Sequence, residues 1–205
     1  MDQIVTHPNF EDAGENALRR VLLSIRHGSL WRQLPRNTEW YEVEVHSADL
    51  HRIRVFPRAQ WRKVARGNFA ATDVTQYPEA EEFQNSADEA FLTKLENLRD
   101  LVRRDYDGGA VLLIGENASG PFTILDGNHR LVAAMLEAPE RVERYRFFCG
   151  LSHKMAQCCW YETNVATLTR YAANLLRYLA YDPKAELVRL LQSSEAERAS
   201  LAQQE

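Results

Sequence analysis

Apolar residues recur at two different spacings along this chain, and the change from one to the other predicts its elements. Within residues 18–25 they fall at helical spacing, and Gly28 closes that predicted helix. Residues 41–46 alternate apolar with polar, which predicts a half-buried strand presenting Glu42 and Glu44 on its polar face. A second short strand is predicted over 53–56, and one short helix with a long loop over 58–85.

The second half of the chain alternates helix and strand before it returns to helix. Ser86 and Glu89 have the spacing of a capping box, and the apolar stripe behind them predicts a helix that ends at a Gly-Gly pair. Further strands are predicted over 111–114, 122–125 and 144–149, and further helices after residue 130, over 163–181 and from Pro183.

These elements predict an α+β fold, in which a small mixed β-sheet with packed helices is followed by a helical C-terminal part. The pattern divides the chain into an N-terminal helix and connection (1–38), a core (39–150) and a C-terminal helical region (151–205).

Composition narrows the function classes. The 205 residues are 45% hydrophobic and 26% charged, as in soluble globular proteins, and the formal net charge of -4 argues against a general nucleic-acid partner. No apolar run approaches the roughly 20 residues of a membrane helix, so no membrane partner is expected. The first residues lack the features of a signal peptide, and three cysteines are an odd number for a disulfide framework. We therefore expect reduced thiols and a cytoplasmic protein.

The densest chemistry lies in Asp126-Gly-Asn-His-Arg130, between a predicted strand and the helix that follows it. Asp-Gly is a strong turn signal, and Gly127 lets the backbone approach a ligand closely. N–H groups at a helix N-terminus attract anions, and the guanidinium of Arg130 offers a planar fork that suits phosphate. The motif turn, as we call residues 126–130, therefore predicts an anion site.

A purely structural interpretation stands beside this one. Asp126 would cap the helix, His129 would pack against neighbours, and Arg130 would pair with a surface acid. We favour the ligand site because so many reactive groups rarely cluster where a cap alone is needed.

The order of elements over residues 91–135 (helix, Gly-Gly, short strand, loop, strand, Asp-Gly-Asn-His-Arg, helix) resembles the ParB/sulfiredoxin superfamily, often labelled ParB-like nuclease domains. The residues Ala110–Ile114 take the place of its first strand, although the family usually has proline where Ala110 stands. The reactive cysteine of sulfiredoxins corresponds to Asn128 here, and the arginine-rich motif of chromosome-partitioning members is missing. The Asp-Gly-x-His-Arg form is most similar to the free-serine kinases.

The resemblance implies a bound nucleotide (ATP, ADP or CTP) with its phosphates at the motif turn, together with Mg²⁺. Gly127, Asn128, His129 and Arg130 are then the phosphate-binding residues, the first two through their backbone amides.

Catalytic roles follow from the same resemblance. His129 would donate to the transferring phosphoryl group, and an acid from an early strand, Glu42 or Glu44, would activate a substrate hydroxyl. Asp126 is the other candidate for the base or the Mg²⁺ ligand. The implied activity is phosphoryl transfer to a small hydroxylated molecule. The alternatives are a non-catalytic nucleotide-dependent switch or partner-binding module, and a nuclease, against which the acidic net charge argues.

Three further groups of residues have a common structural role and a rarer functional one. Cys149, His153, Cys158 and Cys159 are close enough in sequence for zinc, but buried cysteine is a common core residue. The Trp160-Tyr161 pair either packs or forms one wall of a site that stacks a base. The basic cluster of residues 58–66 either faces solvent or meets phosphates.

Overall fold

A five-stranded mixed sheet organises the residues that the computed structural model describes, which are 33–35, 38–57, 59–65, 69–75, 87–104 and 109–180. The strands are β1 (Glu39–Val43), β2 (Ile53–Arg54), β3 (Ala110–Gly115), β4 (Phe122–Asp126) and β5 (Arg146–Leu151). The α-helices are α1 (Ala59–Val64), α2 (Ala71–Thr75), α3 (Glu89–Arg103), α4 (Asn128–Glu137) and α5 (Val165–Ala180). Short 3-10 helices cover Ser47–Arg52, Pro139–Arg144 and Met155–Gln157. The predicted α+β class is confirmed.

The strand order is β1-β5-β3-β4-β2. The pairs β1/β5 and β3/β4 are antiparallel, whereas β5/β3 and β4/β2 are parallel. Parallel strands end at the same edge of a sheet. The residues that follow β2 therefore emerge beside the motif turn, which follows β4.

Helices α3 and α4 cover the first face of the sheet. Strand β4 lies inside the sheet, between β3 and the edge strand β2, and its residues Phe122, Thr123, Ile124 and Leu125 are all buried. Inward-facing side chains of the strands meet the buried faces of both helices in one core, which includes Val111, Leu113, Ile124, Phe147, Phe91, Leu95, Leu131 and Met135.

The second face of the sheet is covered by the chain that follows β5. Trp40, Ile114 and Leu125 pack there against a segment that runs from Met155 to Trp160. The beginning of the predicted C-terminal helical region thus supplies the third layer of the described structure, before α5 starts at Val165.

Side-chain hydrogen bonds cap helix α3 at its start and connect it to helix α4. Asp88 caps α3, since its Oδ1 accepts a 2.7 Å hydrogen bond from the backbone N–H of Phe91. The cap thus lies two residues after the expected Ser86. Glu137, in the last turn of α4, accepts hydrogen bonds from Arg99 and Arg103 of α3 and so ties the two helices together.

Several boundaries differ from the expectations. Strand β1 ends at Val43, because the chain turns into the 3-10 helix at Ser47, where Asp49 accepts from the backbone N–H of His46. Two short helices, α1 and α2, stand in the segment for which one was predicted. The predicted helices over 18–25 and from Pro183 lie outside the described residues. Within the described residues, no helix has the length and apolar character needed to cross a membrane.

Candidate functional site

The motif turn begins with a backbone conformation that glycine favours. Gly127 has φ 96°, in the left-handed region, and it is the N-cap residue of α4. A Cβ atom at this position would lie 3.1 Å from Cγ2 and 3.2 Å from Cα of Val111, so the turn packs closely against β3. Because the N-cap residue is a glycine, it contributes no side-chain hydrogen bond to the N–H groups of the first helical turn, which have the anion-attracting character of a helix N-terminus.

The side chain of Asn128 is directed into the fold. Its residue is 8% exposed, its Oδ1 accepts a 2.7 Å hydrogen bond from the backbone N–H of Phe56, and its Nδ2 donates a long 3.5 Å bond to the carbonyl of Ile124. These bonds join the chain after β2 to the motif turn. Asn128 is therefore a positioning residue, and its expected contribution to phosphate binding can come from its backbone N–H.

Arg130 pairs with the acid of its own motif. Its Nη2 atom lies 3.2 Å from Oδ2 of Asp126, and both side chains are about a quarter exposed. The stem and guanidinium of Arg130 lie against Gly109, where a Cβ atom would approach Cδ to 3.3 Å. The purely structural interpretation predicts that Arg130 pairs with an acid, and an ion pair is present. It also predicts that Asp126 caps α4, whereas Asp126 is the last residue of β4 and Gly127 is the N-cap residue.

His129 points away from Arg130 into an aromatic contact between helices. Its ring centroid lies 4.8 Å from that of Trp61 in α1 and 4.9 Å from that of Phe91 in α3. Burial, with a smaller contribution from the charge of Lys94, lowers the pKa of His129 to about 4. The imidazole is therefore neutral at pH 7, when one ring nitrogen donates and the other accepts.

The structure does not bring Glu42 next to the motif turn. Strand pairing aligns Asp126 with Leu112, Leu112 with Phe148, and Phe148 with Glu42, so two strands lie between Glu42 and Asp126. Three strand spacings amount to about 14 Å.

The two early acids, Glu42 and Glu44, lie in different surroundings on β1 and just after it. Glu42 accepts from Nε of Arg146 at 2.8 Å and from Nη2 at 3.2 Å, which raises the pKa of the arginine. Glu44 is exposed just beyond the end of β1. Neither residue contacts the motif turn in the described part of the chain.

The cysteines lie on opposite faces of the sheet. Cys149 belongs to the core under α3 and α4, whereas Cys158 and Cys159 belong to the second cluster, and His153 is exposed. Burial raises the pKa of Cys158 to about 12. Among the described residues, no three His, Cys, Asp or Glu side chains form a group that fits a metal ion. Packing is the role that the structure shows for these thiols.

Sequence reasoning missed two neighbours of the motif turn, Phe56 and Gly109. The apolar pattern predicts Phe56 only as the end of a strand, and its hydrogen bond with Asn128 links positions 72 residues apart. The Gly-Gly pair predicts the end of the preceding helix, and the structure adds that Arg130 lies against Gly109.

The chain matches no protein-family model, no curated protein and no solved structure. The observed order α3, β3, β4, motif turn, α4 agrees with the element order on which the resemblance was based. The resemblance to the ParB/sulfiredoxin superfamily therefore stays a prediction, which rests on that order and on the five residues of the motif turn.

Proposed function

We propose that this protein binds a nucleotide by its phosphates at the motif turn and transfers a phosphoryl group to a small hydroxylated molecule. One observation carries the proposal: α4 begins at a glycine, which has no side chain to cap it, and the guanidinium of Arg130 lies 3.2 Å from Asp126, the residue before that glycine. Backbone N–H groups at a helix N-terminus and an arginine fork together are the donor set that phosphate oxygens require.

The roles of the motif residues follow from their geometry. The backbone N–H groups at the start of α4 would hold phosphate oxygens, and Arg130 would exchange its contact with Asp126 for a contact with phosphate. In one of its two candidate roles, the carboxylate of Asp126 would help to hold Mg²⁺, which commonly binds one or two carboxylates together with phosphate oxygens. When bound, Mg²⁺ supplies charge neutralisation for the transfer.

His129 enters this scheme as a neutral group. With its pKa lowered by burial, its imidazole would donate one hydrogen bond to a phosphoryl oxygen and would not add a positive charge. Of the three candidate acids, Asp126 alone belongs to the motif turn, so we assign the Mg²⁺ or base role to it before Glu42 or Glu44, which lie on β1 or beyond its end.

The experiment is calorimetric titration with ATP, ADP and CTP, each with and without Mg²⁺. We expect binding of at least one nucleotide, and a loss of about tenfold to a hundredfold in Arg130→Ala, since a hydrogen bond to a charged group contributes about 1.5–3 kcal/mol. Arg144→Ala is the matched control, because this exposed arginine lies in the 3-10 helix beyond the other end of α4. Equal affinity in Arg130→Ala and Arg144→Ala would refute the proposal.

A non-catalytic nucleotide switch is the second candidate, and two observations favour it. Asp126 is engaged with Arg130, and His129 is packed between two aromatic rings, so both reactive groups already have structural partners. Phosphorus NMR of the protein with nucleotide, Mg²⁺ and a pool of small metabolites separates the two functions. A new phosphoester supports transfer, whereas unchanged nucleotide together with a nucleotide-dependent change in size by light scattering supports the switch.

A further inference from the structure

An aromatic ladder, formed by Phe56, Trp160 and Tyr171, leads away from the motif turn. The rings of Phe56 and Trp160 have centroids 5.2 Å apart and are tilted by 35°, and Trp160 and Tyr171 are also 5.2 Å apart in an edge contact. Trp160 is 7% exposed, whereas Phe56 and Tyr171 are half-buried. The ladder therefore has a buried centre and two partly open ends.

The motif turn holds Phe56, which forms one end of the ladder. Its backbone N–H donates to Asn128, the first residue of α4, and its ring packs against both core clusters at the edge of the sheet. A movement of the Phe56 backbone would break a short hydrogen bond to a buried amide. The ring is thus held at a set position beside the helix N-terminus to which the phosphates are assigned.

We propose that the half-buried face of Phe56, backed by Trp160, is the stacking platform for a purine base, which makes the ligand a purine nucleotide. This inference rests on the proposed function, because the phosphates of the same molecule would occupy the motif turn. Bases stack on aromatic side chains through their π-faces, and a purine offers the larger face for this contact. The stronger stacking of a purine gives the platform a modest preference for ATP or ADP over CTP.

The test separates the base from the phosphates by titrating ATP, CTP and inorganic tripolyphosphate in the presence of Mg²⁺. We expect the wild-type protein to bind ATP at least tenfold more tightly than tripolyphosphate, and more tightly than CTP. Phe56→Leu should lose about tenfold in ATP affinity, in the range of one base–aromatic stack, and should bind tripolyphosphate as the wild type does. Phe148→Leu, a matched change of a half-buried phenylalanine in β5, should alter neither affinity.

Each other outcome overturns a specific claim. If the wild type binds ATP and tripolyphosphate equally, the base platform is refuted and the phosphate site stands. If Phe56→Leu weakens both ligands equally, Phe56 acts through the turn and not by stacking, which also refutes the platform. If the wild type binds none of the three, the proposed function itself fails together with the inference.

Tryptophan fluorescence gives a second measurement that does not alter Phe56. A base on the platform lies next to the ring that contacts Trp160, so ATP should quench part of the emission. That ATP-dependent part should disappear in Trp160→Phe and remain in Trp40→Phe, a buried tryptophan of β1. Because Trp61 lies against His129 and can respond to the phosphates, tripolyphosphate supplies the baseline. Quenching by ATP beyond that by tripolyphosphate that survives in Trp160→Phe would contradict the inference.

Discussion

The side chain of Asn128 and the backbone of Phe56 are joined by a 2.7 Å hydrogen bond, in which Oδ1 accepts from the N–H group. The bond connects the chain that follows β2 with the first residue of α4, at the edge where β2 and β4 both end. The conformation of the motif turn is therefore set by a neighbouring strand as well as by its own glycine. This relationship makes the site sensitive to changes that never touch a ligand.

Asn128→Ala should destabilise the protein by about 1–3 kcal/mol, because it leaves the part-buried N–H of Phe56 without its acceptor. Urea unfolding measures the effect. Asn117→Ala is the control, since Asn117 accepts from the backbone N–H of Ser119 in an exposed loop and should change stability by less than about 0.5 kcal/mol. Equal unfolding midpoints for the two variants would show that the bond to Phe56 contributes little.

Gly127→Ala should be destabilising for two reasons that a second variant separates. A left-handed conformation costs an ordinary residue about 1–2 kcal/mol, and the new Cβ would lie 3.1 Å from Cγ2 of Val111. Asparagine tolerates the left-handed region but carries the same Cβ. We therefore expect Gly127→Asn to retain more stability than Gly127→Ala in thermal unfolding. Identical melting temperatures for the two would mean that the contact with Val111 dominates, and wild-type stability in Gly127→Ala would contradict the prediction.

Stability should fall between pH 6.5 and pH 4 because of His129. Its pKa is lowered to about 4 in the folded protein, whereas an unfolded histidine titrates near 6.5. In this window the unfolded chain binds a proton that the native state does not, so the stabilisation is complete above pH 6.5 and is lost as the pH falls. The ring is partly exposed, so solvent limits the loss to less than about 3 kcal/mol.

The comparison that isolates this effect uses His129→Phe, which keeps a ring against Trp61 and Phe91 but does not titrate. The difference in unfolding free energy between wild type and variant should change with pH in this window. His153→Phe, at an exposed histidine, should follow the wild-type profile. A His129→Phe profile parallel to the wild type would show that His129 titrates normally.

The elements around the motif turn could be predicted because their signals are local. A buried apolar run that stops at Asp-Gly specifies the strand and the turn, and the apolar run behind it specifies α4. The partners of the motif could not be predicted in the same way. The tie from Asn128 to Phe56 and the pair of Glu42 with Arg146 join residues 72 and 104 positions apart, and both depend on which strands lie side by side.

The surroundings of His129 could not be predicted from the sequence for a related reason. A histidine in a reactive motif predicts chemistry, and a histidine beside apolar residues predicts packing, and both patterns are present here. The choice depends on α1 and α3, which place Trp61 and Phe91 against the ring. The short helix α1 lies in a segment without a clear apolar period, so no local pattern could reveal the lowered pKa of His129.

Glu137→Gln should weaken the connection between α3 and α4. Burial alone would raise the pKa of the Glu137 carboxyl, but hydrogen bonds from Arg103 and Arg99 outweigh it and lower that pKa. A carboxylate with a lowered pKa stabilises the fold above its unfolded pKa, and this contribution disappears as the pH falls through the folded value. We expect Glu137→Gln to cost about 1 kcal/mol at pH 7 in urea unfolding, and less in acid. The exposed Glu140→Gln is the control; a loss of equal size there would refute a specific role for Glu137.

Gly109→Ala should weaken anion binding indirectly, because it moves the side chain of Arg130 without removing it. Gly109 has φ 134°, and a Cβ atom would lie 3.3 Å from Cδ and 3.4 Å from Nη1 of Arg130, so the arginine side chain would have to shift by a few tenths of an ångström from its place beside Asp126. Titration with pyrophosphate should show a loss of affinity that is smaller than that of Arg130→Ala. A double-mutant cycle supplies the control, because residues that act through one another do not add. In the Arg130→Ala background, Gly109→Ala should cause no further loss of affinity. Additive losses would mean that Gly109 acts on the site by another route, through the backbone at the start of β3.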